Sequence, residues 1–291
     1  MATRALEIAG PRRSAWRQAL ENVPIHVFFI VAGVLWALPA IGLLVTSLRP
    51  VGLFTVTGWW TIFTGTGGQV GIDNYRHLFD SPLLAGSFVN SILIAVPATI
   101  IPVLFATLSA YAFTWLNFPG KTIFFLLLIA LMVVPLQMAL IPVAQLYGFI
   151  GPPGIVKVFL FHAAFALPYA TFLFRNFFLG IPHELLESGR MDGANDWRIF
   201  RTIILPLAYP AIASFAVFQF LWVWNDLLVG LVFAGNTPPV TVAILQQMRN
   251  FGSSVDVISA ASFLSVIPPL LLFFAFQRYF VQGLLAGSVK G

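Results

Sequence analysis

Glu187, Gly193, Ile203, Leu205 and Pro206 fall within Ile181 to Pro210, IPHELLESGRMDGANDWRIFRTIILPLAYP, where charge and turn chemistry concentrate in a chain that is otherwise almost uncharged. Four of the ten acidic residues lie there: Glu184, Glu187, Asp192 and Asp196. Pro182 suits the first position of a helix, where its missing N–H costs nothing, and the helix can run through Leu185, Leu186 and Met191. Gly193 supplies a residue able to adopt positive φ, so it stops that helix. Asn195 reads as the N-cap of a second helix, with Asp196 against the positive end of its dipole, and this helix runs through Trp197, Ile199 and Phe200 to Leu205 before Pro206. The pattern predicts a helix, a tight turn and a second helix, presenting charge on an exposed surface. Two amphipathic helices lying on a membrane surface would show the same pattern.

The elements around this unit are apolar. Of 291 residues, 59% are hydrophobic and 9% charged, against about 25% charged in soluble domains; the mean hydropathy is +0.93. The chain is therefore expected to be all-α and polytopic in a membrane. Without cysteine it has neither a disulfide framework nor a thiolate metal site. The four histidines, His26, His77, His162 and His183, are scattered, so no metal or cofactor is expected. A net charge of +5 would suggest nucleic acid in a soluble protein; here the basic residues have a topological use instead.

Residues 1–22 form a short basic segment, followed by an apolar run from Val23 to Leu48 that is closed by Arg49-Pro50. That run can span a hydrocarbon core of about 30 Å, which a signal peptide's apolar region of about 7–15 residues cannot. Five more apolar segments follow, at 87–116, 122–148, 155–178, 207–234 and 258–281, giving six spans. With both termini inside, eleven of the fifteen Lys and Arg residues face the cytoplasm. Tags inserted after Gly67 or at Ser253-Ser254 should then label from outside in intact cells, and tags at either terminus only from inside. Outside labelling of a terminal tag would overturn this topology. Trp59 and Trp60 suit an outer interface, and Asp73-Asn74-Tyr75-Arg76 an outer polar connection. No repeat or composition break marks a second domain.

Other fragments carry less. Gly120-Lys121-Thr122 lacks the glycine that a phosphate loop requires five residues earlier, where Trp115 stands, so Asn117-Phe118-Pro119-Gly120 reads as a tight turn and this chain is not expected to bind ATP. Few ionisable groups lie at membrane depth, which argues against an ion-coupled carrier. Asp226 is the main exception. It follows Trp222-Val223-Trp224-Asn225 at a distance from Pro206 of roughly 30 Å along a helix, near the outer interface, so Asn225 and Asp226 could line a solute path. Asp226 could equally be a hydrogen-bonded acid at a helix end. The loop from Gly235 to Asp256 could bind a partner or pack against the surface. Glu187 and Arg190 are spaced to pair on one helix.

The spacing Glu187, Gly193, Ile203, Leu205, Pro206 resembles the EAA loop of ABC-importer permeases, a glutamate followed by G-x9-I-x-L-P. Ser188 and Gly189 stand where that family usually has two alanines, and Gly189 weakens the helix by roughly 1 kcal/mol relative to alanine. The pieces Phe174-Arg175-Asn176-Phe177-Phe178, Trp222-Val223-Trp224-Asn225-Asp226 and the stretch from Gln277 to Gly291 are similar to the carbohydrate-uptake branch, in particular MalG-type permeases. The resemblance implies a transmembrane domain over 23–291 and a bacterial or archaeal inner-membrane location. It implies that Glu184, Glu187, Ser188, Gly189, Asp192, Gly193, Ala194, Ile203, Leu205 and Pro206 couple the chain to an ATPase. The partners it implies are a second permease subunit, two cytoplasmic ATPase subunits and an extracytoplasmic solute-binding protein that meets the loop at 236–256. It implies ATP-driven alternating access for a sugar, with the C-terminal tail touching the ATPases. Another polar solute, such as glycerol phosphate, is the alternative; a non-transporting scaffold that holds a soluble partner is a further one.

Overall fold

A computed structural model describes residues 15–50, 52–53, 57–64, 70–249 and 255–288. The proposed tag sites at Gly67 and Ser253-Ser254, and the tail from Val289 to Gly291, lie outside the described residues. Every regular element among the described residues is helical. Among the described residues five helices are long and apolar enough to cross a membrane, and the count is six when a pair bent by 103° is taken as one span.

The first crossing is α1 (Ala15–Ser47), and almost none of its apolar window from Val23 to Ser47 is buried within the chain. Its far end is stapled by the short helix α2 (Asp73–Asp80). There the buried Asn74 side chain donates to the carbonyls of Ser47 and Arg49 at 3.0 and 2.7 Å, and Tyr75 shares a 2.7 Å hydrogen bond with Ser47. The polar connection read in the sequence is thus a helix whose amide closes the open carbonyls at the end of α1.

The second crossing, α3 (Pro82–Trp115), begins five residues earlier than the apolar run suggests, because Ser81 accepts from the Leu84 N–H and Pro82 occupies the first position. Along it Ala95, Ala98, Ala106 and Ala110 are fully buried, and these small side chains let other helices approach closely. Lys121 opens the next helix; its ammonium donates to the Thr114 and Leu116 carbonyls at 3.2 and 2.9 Å, closing the end of α3 after a turn with Gly120 at φ +80°. The Gly-Lys-Thr fragment is a structural turn.

One correction concerns the segment 122–148, which is no straight span. It is α4 (Lys121–Leu131) and α5 (Leu136–Ile150), bent by 103° across Met132 to Pro135. Pro135 has no N–H to continue α4, and its ring pushes Val134 out of helical backbone. The next long apolar helix is α6 (Gly154–Leu179). After it come α7 (His183–Met191), α8 (Asp196–Ile199), a π turn (Phe200–Ile204) and α9 (Leu205–Trp224). Residues 225–234, read as the end of a span, instead break from α9 at Asn225 and form the separate short helix α10 (Leu228–Phe233), which packs against α6. The loop after it folds as α11 (Val240–Arg249), with Val240 and Ala243 fully buried, so it packs against the bundle. The last crossing, α12 (Val255–Ser288), packs on α1, α2 and α9.

The core has two halves. Near α10 and α11 it gathers Ile94, Ala98, Phe161, Trp224 and Phe233. Near α7 it gathers Ala110, Phe174, Phe178, Leu186, Ile199 and Ile204. α3, α6 and α9 run through both.

Candidate functional site

At the α7 end, the helix-turn-helix forms as its residues dictate, with differences of detail. Pro182 sits just before α7 with extended backbone (ψ 132°), one position ahead of the expected first helical place. Gly193 takes φ +78°, the Ala194 N–H bonds the Gly189 carbonyl at 3.0 Å and the Gly193 N–H bonds the Arg190 carbonyl at 3.0 Å. That pair of bonds is a Schellman stop, and it requires positive φ where Gly193 stands. The Asn195 side chain accepts from the Arg198 N–H at 2.9 Å. Asp192 and Gly193 are exposed and Ala194 is half-buried, so the turn itself faces outward.

The second helix does not stop before Pro206. It runs from Asp196 to Trp224 as one span of 29 residues. The π turn makes this possible: the Leu205 N–H reaches back five residues to the Phe200 carbonyl. In a regular helix the Pro206 ring would press on the Thr202 carbonyl; the wider turn gives it room. Ile203 and Leu205 lie half-buried on this turn while Pro206 is exposed.

Leu186 and Gly189 are the buried residues of α7. A Cβ on Gly189 would stand 3.1 Å from Ile203 Cδ1 and 3.4 Å from Ile199 Cγ1, so the small residue lets α7 lie directly on the second helix. Leu186 is rooted in the core with no exposed surface, while Leu185 faces outward and Met191 is 87% exposed. Glu187 does not pair with Arg190. Its carboxylate meets His183 Nδ1 at 3.1 Å one turn back, and Arg190 instead donates to Asp196 Oδ1 at 3.2 Å across the turn. Glu184 lies in the first turn of α7, exposed like Glu187 and Ser188.

Halfway between the two ends lies a cavity of about 410 Å³. One wall is His162, Phe165, Ala166 and Tyr169 of α6; the facing wall is Phe215, Phe218, Gln219 and Trp222 of α9. Both sets follow i, i+3, i+4, i+7, one face of a helix each. Val134 and Leu136, flanking the bend between α4 and α5, complete it. His162 is 2% exposed, and its Nε2 has no hydrogen-bond partner among the described residues; Asp226 Oδ2 stands 3.5 Å away, beyond an ordinary N–H···O distance.

Asp226 stands behind His162. Its carboxylate accepts the Gly230 N–H at 3.1 Å and its carbonyl accepts the Thr241 hydroxyl at 2.6 Å, so it holds α10 and α11 to the end of α9. Asn225 is exposed, and its amide donates to the Leu221 carbonyl of its own helix at 2.8 Å. Of the two, only Asp226 approaches the cavity, through His162. The sequence reading missed His162, Tyr169, Phe215 and Gln219; a shared signal was present in the matching i, i+3, i+4, i+7 faces of two apolar helices, each carrying one polar side chain.

Residues 102–285 match the family described as the binding-protein-dependent transport system inner membrane component. The chain belongs to this family. The permease is 46% identical to the osmoprotective compounds uptake permease protein GgtD of Synechocystis sp., over 93% of each chain. It is 45% identical to the alpha-glucoside transport system permease protein AglG of Rhizobium meliloti, over 76% of the permease and 60% of that protein. In fold it is similar to a chain of a bacterial ABC transporter involved in the import of the acidic polysaccharide alginate, with TM-score 0.74 and 21% identity over 93% of the permease and 99% of that chain.

Proposed function

We propose that the permease forms half of the membrane path of an ATP-driven importer, taking a neutral sugar or short oligosaccharide handed over by an extracytoplasmic binding protein. One observation carries this reading: the turn after α7 and a wall of the cavity belong to the same unbroken helix, Asp196 to Trp224. A partner that grips the turn therefore holds Gln219 and Trp222, about 35 Å away along the helix axis. In this reading α7 docks on a cytoplasmic ATPase, both termini lie in the cytoplasm, and a second permease supplies the facing half of the path. ATP is hydrolysed by the ATPase subunits, not by this chain.

The cavity's chemistry suits a neutral polyol. Aromatic faces cover the C–H faces of a pyranose ring, and the Gln219 amide and the His162 imidazole supply hydrogen bonds to hydroxyls. Among the described residues no Lys or Arg lines the cavity, and Asp226 sits behind its histidine, so a phosphate or carboxylate would meet a nearby carboxylate and no permanent cation. That weighs against glycerol phosphate. The names of relatives agree with a sugar: the alpha-glucoside transport system for AglG, and the trehalose transport system for the permease SugB of Mycobacterium tuberculosis, 34% identical over 76% of this chain.

The test is uptake into liposomes holding the full complex, with a panel of neutral sugars and glycerol phosphate. ATP-dependent uptake of a neutral sugar is expected, and Trp222→Ala should reduce it by about tenfold with assembly unchanged. Uptake by this chain alone, or preference for glycerol phosphate, would overturn the reading.

A further inference from the structure

We infer that Tyr111 is a positioning residue that makes the central helix α3 follow the coupling turn. The inference rests on the proposed docking of α7 to an ATPase.

Tyr111 lies on α3 one turn before its end and is 5% exposed. Its ring is held by Trp115 and Phe200 at centroid distances of 5.2 and 5.4 Å. Its hydroxyl donates to Asp196 Oδ1 at 3.1 Å, the same oxygen that accepts from Arg190 at 3.2 Å. Three elements therefore converge on one carboxylate oxygen: the last turn of α7 through Arg190, the first residue of the long second helix, and α3. Asp196 is half-exposed, whereas Tyr111 is the member of the trio fixed inside the bundle. A docking force on α7 and the turn thus has a directional hydrogen bond, in addition to apolar packing, by which to move α3.

A second tie farther along gives this bond its consequence. Pro102 on α3 has no N–H to offer the Ala98 carbonyl four residues earlier, and Gln219 Nε2 of α9 donates to that carbonyl at 3.2 Å. α3 and the long helix are joined beside the turn by Tyr111–Asp196 and beside the cavity by Gln219–Ala98. Two separated ties let the pair tilt as one body. With the tie at Asp196 lost, the long helix can respond to docking while α3 lags, and the path opens incompletely.

The experiment uses the complete complex in liposomes and measures solute imported per ATP hydrolysed. Tyr111→Phe removes one oxygen and keeps the ring packing. It should leave co-purification of the ATPase and the thermal midpoint near wild type, keep ATP hydrolysis within about twofold, and lower solute per ATP by about fivefold. Asp196→Asn, which retains an oxygen for the Tyr111 hydroxyl but gives up the charge facing Arg190, should keep most of the ratio. Asp196→Ala should resemble Tyr111→Phe, and the double variant should be no worse than either single one. An unchanged ratio in Tyr111→Phe, a fall that merely tracks lost complex, or losses that multiply in the double variant would each overturn the inference. Failure of the wild-type chain to assemble with an ATPase would instead sink the docking reading itself, a separate outcome visible before any variant is made.

Discussion

Glu187→Ala should leave the permease inserted and folded while reducing ATP-driven uptake by about tenfold or more. The Glu187 side chain is 66% exposed and meets only His183 of its own helix, at 3.1 Å, so truncation leaves no buried group unpaired. Leu186 next to it is fully buried in the core beneath α7, and Leu186→Asp should instead cost the fold. The contrast separates a residue that serves a partner from one that roots the helix. Uptake, membrane abundance and co-purification of the ATPase, measured together, decide the matter: normal uptake by Glu187→Ala would show that this carboxylate does not couple. Restoration by Glu187→Gln would show that hydrogen bonding, and not charge, is what the partner reads.

What was readable from sequence follows the range of the forces involved. Gly193 and Asn195 were legible because a Schellman stop and an N-cap involve only residues within a turn of each other. Pro206 was misread for the converse reason. A proline after an apolar run signals a helix end, but the bundle holds the chain in a π turn through Phe200 to Ile204 and the helix continues to Trp224. Local spacing also pointed to a Glu187–Arg190 pair, and the tight turn brought Asp196 nearer to Arg190. The six apolar segments could be counted from length alone, whereas the 103° bend between α4 and α5 depends on how Pro135 is resolved in the bundle. The cavity required knowing that α6 and α9 face each other, a tertiary fact that two matching helical faces suggest only once they are compared. Tyr111 and Asp196 are 85 positions apart, and nothing local links them.

Gly154→Ala should be among the most destabilising single-methyl additions to this chain. An ideal Cβ at Gly154 would stand 2.1 Å from the Ala234 carbonyl oxygen and 2.8 Å from its carbon, distances at which one of the two segments must move. The obstacle is backbone, and it is held. The Ala234 carbonyl accepts from the Thr237 N–H at 3.1 Å and from the Thr237 hydroxyl at 2.8 Å, and the Ala234 N–H bonds the Gly230 carbonyl at 2.9 Å. Relief therefore means separating the start of α6 from α10, which are packed through Phe161 and Phe233 at 5.3 Å between ring centroids. Overpacking of this kind costs about 1–3 kcal/mol. Because Asp226 anchors α10 beside His162, the displacement also reaches the cavity. Gly148→Ala is the control: it lies exposed in α5 with nothing within 4 Å of its Cβ position, and there a methyl should stabilise the helix by roughly 1 kcal/mol. Thermal unfolding in detergent should show a lowered midpoint for Gly154→Ala and an unchanged or raised one for Gly148→Ala. Equal midpoints for the two variants would mean that the close approach of α6 to Ala234 is not what holds this end of the bundle together.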